Sequence, residues 1–411
     1  MAGTTSPAPS DAERERHAVR SVLLGVPRWT RDGGISAHVQ VSAEILARHG
    51  LDVRVLAARV ETNASTPGVS VYRCPELFHP RVPMRERLGE TLELEPDVVH
   101  LHQVDLPDVI GELRRRAPVV VSAHVYSACT SGLHYFSPGQ ECTRAHGAGC
   151  WPNLLLRGCA HTRNPTSLPA RYRGAARRLA SLREADLVVS YSSAVDRHLA
   201  ANGLSRRRLL SFPSTIVAGP TSDPPRERRV VFAGRIVAHK GVGVLIEAAR
   251  ELDADVVICG DGRERAAMEA LARRLGVGER VRFSGWLAPE QLAHELSAAA
   301  VVALPSLWPE PFGLVGIEAF AAGRPVVASD TGGVRDWLEH GVSGLCVPPG
   351  DPHALAGALA ELLAQPERRR AMGEAGRRTV SERFAPSHHV EQILDAYRAA
   401  RLSWEQPAPP R

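Results

Sequence analysis

Short apolar runs alternate with helical periods along almost the whole chain, and the alternation is laid down twice. The first series opens with Ser21-Val-Leu-Leu-Gly-Val26 and continues with strand-like runs at 52–58, 69–73, 97–102 and 119–122. Helical periods at 35–48, 83–94 and 105–116 separate them. Apolar runs this short, joined by helices, read as buried parallel strands with crossovers on both faces of a sheet. Residues 125–168 interrupt the pattern, which resumes with a helix at 170–183, a strand at 186–192, a helix at 194–202 and a strand at 208–212. Residues 214–227, with Gly219-Pro220 and Pro224-Pro225, read as a linker. A second series then starts at Arg229-Val-Val-Phe-Ala-Gly-Arg-Ile236. The expectation is two doubly wound α/β domains, 18–213 and 228–385, a last helix at 386–402, and disordered tails at 1–17 and 403–411.

Composition narrows the function classes. A chain of 411 residues, 44% apolar, can bury a core in each domain. No apolar run approaches the eighteen or so residues of a membrane span, and the polar first 17 residues lack the apolar core of a signal peptide, so the expected address is the cytoplasm. A formal charge of +5, set against 50 basic and 45 acidic side chains, with no aromatic-interleaved basic stripe, argues against a nucleic-acid partner. The Arg-rich helix at 170–183 reads as a solvated basic face in preference to peripheral membrane contact.

One basic residue stands apart. Lys240 is the single lysine among the 50 basic residues. Arginine is a planar fork and lysine a compact point charge, so a site that needs the small ammonium resists replacement. Lys240 follows Gly234-Arg235 at the end of a strand and precedes a helix, an arrangement suited to a diphosphate.

Ligands of such sheets sit beyond the carboxyl ends of the strands. His124 falls at one such end, and Gly33-Gly34 precede the first helix, where backbone can approach a phosphate or sugar closely. His100 and His102 read as core or wall residues. Ser284-Gly-Trp-Leu287 closes another strand where a base can stack on Trp286 or meet the backbone of Leu287. The stretch Trp308-Pro-Glu-Pro-Phe-Gly-Leu-Val-Gly-Ile-Glu318 follows a further strand. Pro311 suits the first helical position, leaving the amides of Phe312, Gly313 and Leu314 free at the helix N-terminus. Glu310 and Glu318 are then about 10 Å apart by helix rise, whereas a retaining hydrolytic pair needs about 5 Å. They read as two clamps on different parts of a long ligand.

Seven cysteines in a chain of this length do not suggest a disulfide framework, yet four cluster at Cys129, Cys142, Cys150 and Cys159. Three readings stay open: a structural zinc site, helped or replaced by His134, His146 or His161, free thiols lining a pocket, or redox chemistry.

Taken together, Gly33-Gly34, His124, Gly234-Arg235, Lys240-Gly241, Gly260-Asp-Gly262, Glu310-Pro-Phe-Gly-Leu-Val-Gly-Ile-Glu318 and Asp330-Thr-Gly-Gly333 resemble, in order and position, the retaining glycosyltransferases of family four, over roughly residues 20–402. The resemblance implies the GT-B fold, two Rossmann-like domains facing across a cleft with the last helix crossing back to the first. It implies a nucleotide-diphosphate sugar as donor, a UDP-sugar leading the candidates, a hydroxyl acceptor, and no cofactor or metal in catalysis. By position, Arg235 and Lys240 would hold the diphosphate and Glu318 the ribose. Glu310 and the amides of Phe312 to Leu314 would hold the sugar, with His124 beside it. Many relatives follow the histidine with Asp; here Val125 follows, so its orienting partner is open. Competing classes are a nucleotide-sugar epimerase of the same fold, which would need acid/base groups and no acceptor pocket, and a catalytically silent sugar-nucleotide-binding protein.

Overall fold

A computed structural model of the chain describes residues 18–30, 34–61, 66–79, 81–84, 86, 93–137, 140–157, 159, 164–213 and 228–405. The expected linker, Gly33, His161, the tail at 1–17 and most of the helical period at 83–94 lie outside these residues.

The first half contains β1 (Ser21–Trp29), α1 (Gly34–Arg48), β2 (Asp52–Val60), β3 (Val69–Arg73), β4 (Val98–His102), α2 (Pro107–Arg114) and β5 (Val119–Ala123). The interrupting segment supplies a hairpin, β6 (Tyr135–Ser137) and β7 (Gln140–Glu141), and a short helix, α3 (Cys150–Leu156). Then come α4 (Leu168–Glu184), β8 (Leu187–Ser190), α5 (Ser193–Ala201) and β9 (Arg207–Leu209). Seven strands form one sheet in the order β3-β2-β1-β4-β5-β8-β9, and every pairing in it is parallel. Consecutive residues such as Val22, Leu23 and Leu24 are all buried, because helices cover both faces; this is why the strands read as unbroken apolar runs.

The second half repeats the scheme with β10 (Arg229–Ala233), α6 (Val242–Ala248), β11 (Asp255–Cys259), α7 (Arg265–Arg274), β12 (Val281–Gly285), α8 (Pro289–Ala298) and β13 (Val301–Leu304). It ends with α9 (Leu314–Ala321), β14 (Val326–Ser329), β15 (Gly344–Val347), α10 (Pro352–Ala364) and α11 (Pro366–Arg383). Its sheet is parallel, ordered β12-β11-β10-β13-β14-β15.

The last helix, α12 (Pro386–Glu405), crosses back to the first domain and runs through residues 403–405, which the sequence suggested were tail. Its buried residues His389, Val390, Ile393, Ala396, Tyr397 and Ala400 recur at helical spacing and face α1 and the first sheet. Ser42 of α1 and His389 are 3.0 Å apart, and the Arg401 guanidinium lies 3.0 Å from Asp97. Further contacts join the domains. The amide and hydroxyl of Ser193 donate to Asp336 at 2.7 and 2.5 Å, and the amide of Gly332 donates to Glu141 of the inserted hairpin at 2.9 Å. Among the described residues no helix is long and apolar enough to cross a membrane.

Candidate active site

In the second sheet the strand order reverses between β10 and β13, and the loops leaving these two strands frame the place where doubly wound sheets take ligands. Lys240 ends the loop after β10 and Glu310 lies in the loop after β13. Gly241 makes their approach possible. Its φ of 72° and the backbone oxygen of Pro305, 1.8 Å from where a Cβ would be, admit only glycine, so the two loops touch backbone to backbone. The amide of Leu307 donates to the carbonyl of His239 at 2.9 Å and ties them further.

The result is a bidentate ion pair. Lys240 Nζ reaches Oε1 and Oε2 of Glu310 at 2.8 and 2.9 Å. The Ser306 hydroxyl and the Trp308 indole N–H donate to Oε2 at 2.8 and 3.0 Å, and the ammonium also lies 5.6 Å over the Trp308 ring. Burial alone would raise the Glu310 carboxyl, but the Lys240 charge and the donors from Lys240, Ser306 and Trp308 together hold it below the usual carboxylate range. From the sequence, Lys240 and Glu310 read as holders of separate parts of a ligand, and neither Ser306 nor Trp308 reads as a partner of Glu310.

Glu310 is also fixed from behind. The amide of Gly333 donates to its carbonyl at 2.7 Å, and a Cβ on Gly332 or Gly333 would sit 2.3 or 2.4 Å from the backbone oxygen of Glu310 or Pro311. Asp330-Thr-Gly-Gly333 thus braces the Glu310 loop. Gly260-Asp-Gly262 does the same for the loop after β10, packing against the carbonyls of Gly234 and Ile236. Arg235 is exposed beside this loop, Trp286 is 50% exposed and Leu287 half-buried, so a ring can be laid on the tryptophan.

The helix start differs from expectation. Gly313, at φ 87°, is the N-cap, and α9 begins at Leu314. Pro311 is therefore not the first helical residue, Phe312 offers no helix-terminal amide, and Glu318 sits about one turn inside the helix. The cause is Gly313 itself, whose left-handed backbone turns the chain only after Phe312 has been buried. Phe312 packs against Phe212 of the first domain with ring centroids 4.7 Å apart and planes tilted by 51°, and its carbonyl accepts from the Trp337 indole at 2.7 Å. Gly34 lies against Leu314, with a Cβ there 3.2 Å from its side chain, so the start of α1 does face the start of α9.

His124 is 7% exposed and belongs to a buried cluster in the first domain. Its Nε2 lies 2.9 Å from Nδ1 of His102, its ring stacks 5.0 Å from Tyr191, and its Nδ1 is buried with no partner among the described residues. His102 is the orienting partner that Val125 could not be. The neighbouring His100 bonds Tyr397 of α12 at 2.9 Å and Ser122 at 2.7 Å. Burial alone depresses His124, to about 3, so the ring is neutral. No hydrogen bond among the described residues joins His124 to the Lys240–Glu310 pair; the link runs through aromatic contacts, His124 to Phe212 and Phe212 to Phe312.

Residues 33–215 match the family model described as glycosyl transferase 4-like domain, and residues 220–379 match glycosyl transferases group 1. Together the two models cover residues 33–379 except 216–219. The chain is 27% identical over 397 residues to an uncharacterised glycosyltransferase of Methanocaldococcus jannaschii, covering 90% of this chain and 95% of that protein. It is 36% identical over 178 residues to the alpha-D-kanosaminyltransferase of Streptomyces kanamyceticus, covering 42% of this chain and 46% of that enzyme. A D-inositol 3-phosphate glycosyltransferase of Corynebacterium jeikeium is 39% identical over 197 residues, again under half of either chain, at 45% and 42%. Among solved structures, the sucrose-phosphate synthase of Thermosynechococcus elongatus superposes with a TM-score of 0.70 at 24% identity over 92% of this chain and 98% of that one. Anabaena HepE in complex with UDP-glucose gives 0.67 at 19% identity over 91% and 98%. At these identities the superpositions speak to the fold.

Proposed function

The chain belongs to the family four glycosyltransferases and has the GT-B fold, and from that premise we propose that it moves a sugar from a nucleoside-diphosphate sugar to a hydroxyl acceptor with retention of configuration and without a catalytic metal. The observation that carries this reading is the engagement of Glu310. Both of its oxygens accept hydrogen bonds and its carboxyl is held ionised, so it is a poor nucleophile and no general acid; it is a positioning group. A front-face displacement needs no protein nucleophile. The bond from the anomeric carbon to the diphosphate oxygen breaks, the acceptor oxygen bonds to the same face, and the departing diphosphate takes the acceptor's proton.

In this reading Lys240 keeps Glu310 and turns its remaining N–H to the diphosphate, while the exposed Arg235 closes on it from the other side. Positive charge there stabilises the charge that grows as the bond breaks. Glu318 holds the ribose, Trp286 and Leu287 the base, and Leu314 with Gly313 lies under the sugar. The Nδ1 of His124 is the ring atom left for a sugar hydroxyl. The complex of HepE with UDP-glucose supports a UDP-sugar as the first donor to try.

Thermal-shift titration with UDP, GDP, ADP and TDP, followed by donor hydrolysis in EDTA with the best of them, tests the reading. A nucleotide-dependent rise in melting temperature and metal-independent nucleotide release are expected. No shift with any of the four contradicts it.

A further inference from the structure

Away from the switch point, the four cysteines of the inserted segment come together. Cys129 after β5, Cys142 after the hairpin, Cys150 at the start of α3 and Cys159 beyond its end line one small cavity with His146 and His198. The cavity measures about 20 Å³, enough for one ion or one water and far too small for a sugar, so it is not an acceptor pocket. Both ring nitrogens of His198, which is 3% exposed, are buried with no partner among the described residues, as is Nε2 of His146. Buried polar atoms left in this state point to a missing partner.

The insertion is tied to the first domain's core through Tyr126, Ala128, Cys129 and Tyr135, but its far part has little apolar material. Its own apolar cluster consists of Leu154, Cys159 and Leu168 with Phe136, Cys150 and Trp151 packed against it, and two of these six are members of the cysteine set. Even so, the segment does mechanical service, because Glu141, next to Cys142, accepts from the Gly332 amide and the Thr331 hydroxyl of the other domain.

We propose that Cys129, Cys142, Cys150 and Cys159 bind one zinc ion that staples the insertion and holds Glu141 against the second domain. Four thiolates around one point select zinc or an iron–sulfur centre, and a cavity of this size favours the single ion. On binding, four S–H bonds are lost, four Zn–S bonds form and four protons pass to solvent, leaving a net charge of −2. Arg144 lines the cavity, and Arg178 donates to the carbonyls of Ser127 and Cys129 at 2.7 and 3.4 Å, so cations stand where that charge would develop. The ring nitrogens of His198 and Nε2 of His146, unpartnered among the described residues on the cavity wall, would serve as N–H donors to the sulfurs once the ion is bound. Among the described residues no group of three or more ligating side chains is arranged to hold a metal ion as it stands, so binding requires the cysteines to turn inward by steps of χ1.

Elemental analysis of the full chain, purified without added metal or chelator, should find about one zinc per chain. The paired variant Cys142→Ser/Cys150→Ser should hold less than about a tenth of that, while Cys346→Ser, in the second domain, keeps it. Should the paired variant fail to fold, wild-type protein reconstituted with cobalt gives the second readout: an intense thiolate-to-cobalt charge-transfer band with tetrahedral d–d absorption. Wild-type protein that carries no metal and gives no such band, or whose four cysteines are recovered as disulfides by mass spectrometry, overturns the proposal.

Discussion

Lys240→Ala removes the ammonium that lets a carboxylate only 5% exposed remain charged. Breaking a buried pair on one side costs about 3–5 kcal/mol, and the partial exposure of the lysine places this case at the lower end. The variant should lose donor turnover by about a hundredfold or more and melt lower, whereas Lys240→Ala/Glu310→Gln should recover melting temperature but not turnover; steady-state kinetics and thermal melts check both. His102→Ala, which acts only through His124, should lower kcat by about tenfold, with His102→Asn, still able to bond Nε2, restoring part of it. Equal kcat in the alanine variant would mean that His124 needs no partner. Lys240 was legible from the sequence because it is the single lysine, and Glu310 because of its proline-flanked setting after a strand. That the two would pair was not, since their contact depends on Gly241 meeting Pro305 across 64 residues of sequence. His102 was legible only as a wall residue. Its role depends on β4 lying beside β5 with His102 opposite Ser122, which brings His124 alongside, and no local pattern specifies that neighbour.

At the scale of elements, strand and helix order followed the periodicity closely, because strands buried on both faces leave an unmistakable apolar run. The start of α9 did not follow, because a proline that suits a helix N-terminus lost to Gly313, whose left-handed backbone sets the turn two residues later. The packing of α9 makes its own demand at Gly316, where a Cβ would stand 2.1 Å from the Trp337 ring. Gly316→Ala should therefore destabilise by about 1–3 kcal/mol through overpacking, read as a lower denaturation midpoint at unchanged m-value. An unchanged midpoint would show that Trp337 moves freely, and with it the hydrogen bond from its indole to the Phe312 carbonyl. The inserted segment, which the sequence marks as a break in the alternation, carries the hairpin β6–β7 and the short helix α3. Its contact with Gly332 was not foreseeable, because it depends on where the second domain lies.

At the scale of the whole molecule, α12 closes the chain back on the first domain through a buried set of imidazoles: His38, His100, His102, His124 and His389. The groups facing them are neutral, Tyr191, Tyr397, Ser42 and Ser122, and burial keeps all five rings below the ordinary histidine range, His100 and His124 at about 3 and His389 at about 4. The unfolded chain binds protons near pH 6.5 and the folded rings do not until far lower. Stability is therefore full above pH 6.5 and falls as pH drops toward 3, by about 1.4 kcal/mol per pH unit for each ring involved. Glu310, whose carboxyl is also held low, adds a loss of the same sign below its ordinary range. Melting temperature should be level from pH 8 to 7 and decline steeply between 6.5 and 5; a level profile down to pH 5 would mean that the cluster opens to water. NMR of the sugar first released from an α-configured UDP-sugar, with water standing in for the acceptor, in EDTA and before mutarotation, should show the α anomer; the β anomer would contradict transfer with retention at the Lys240–Glu310 site.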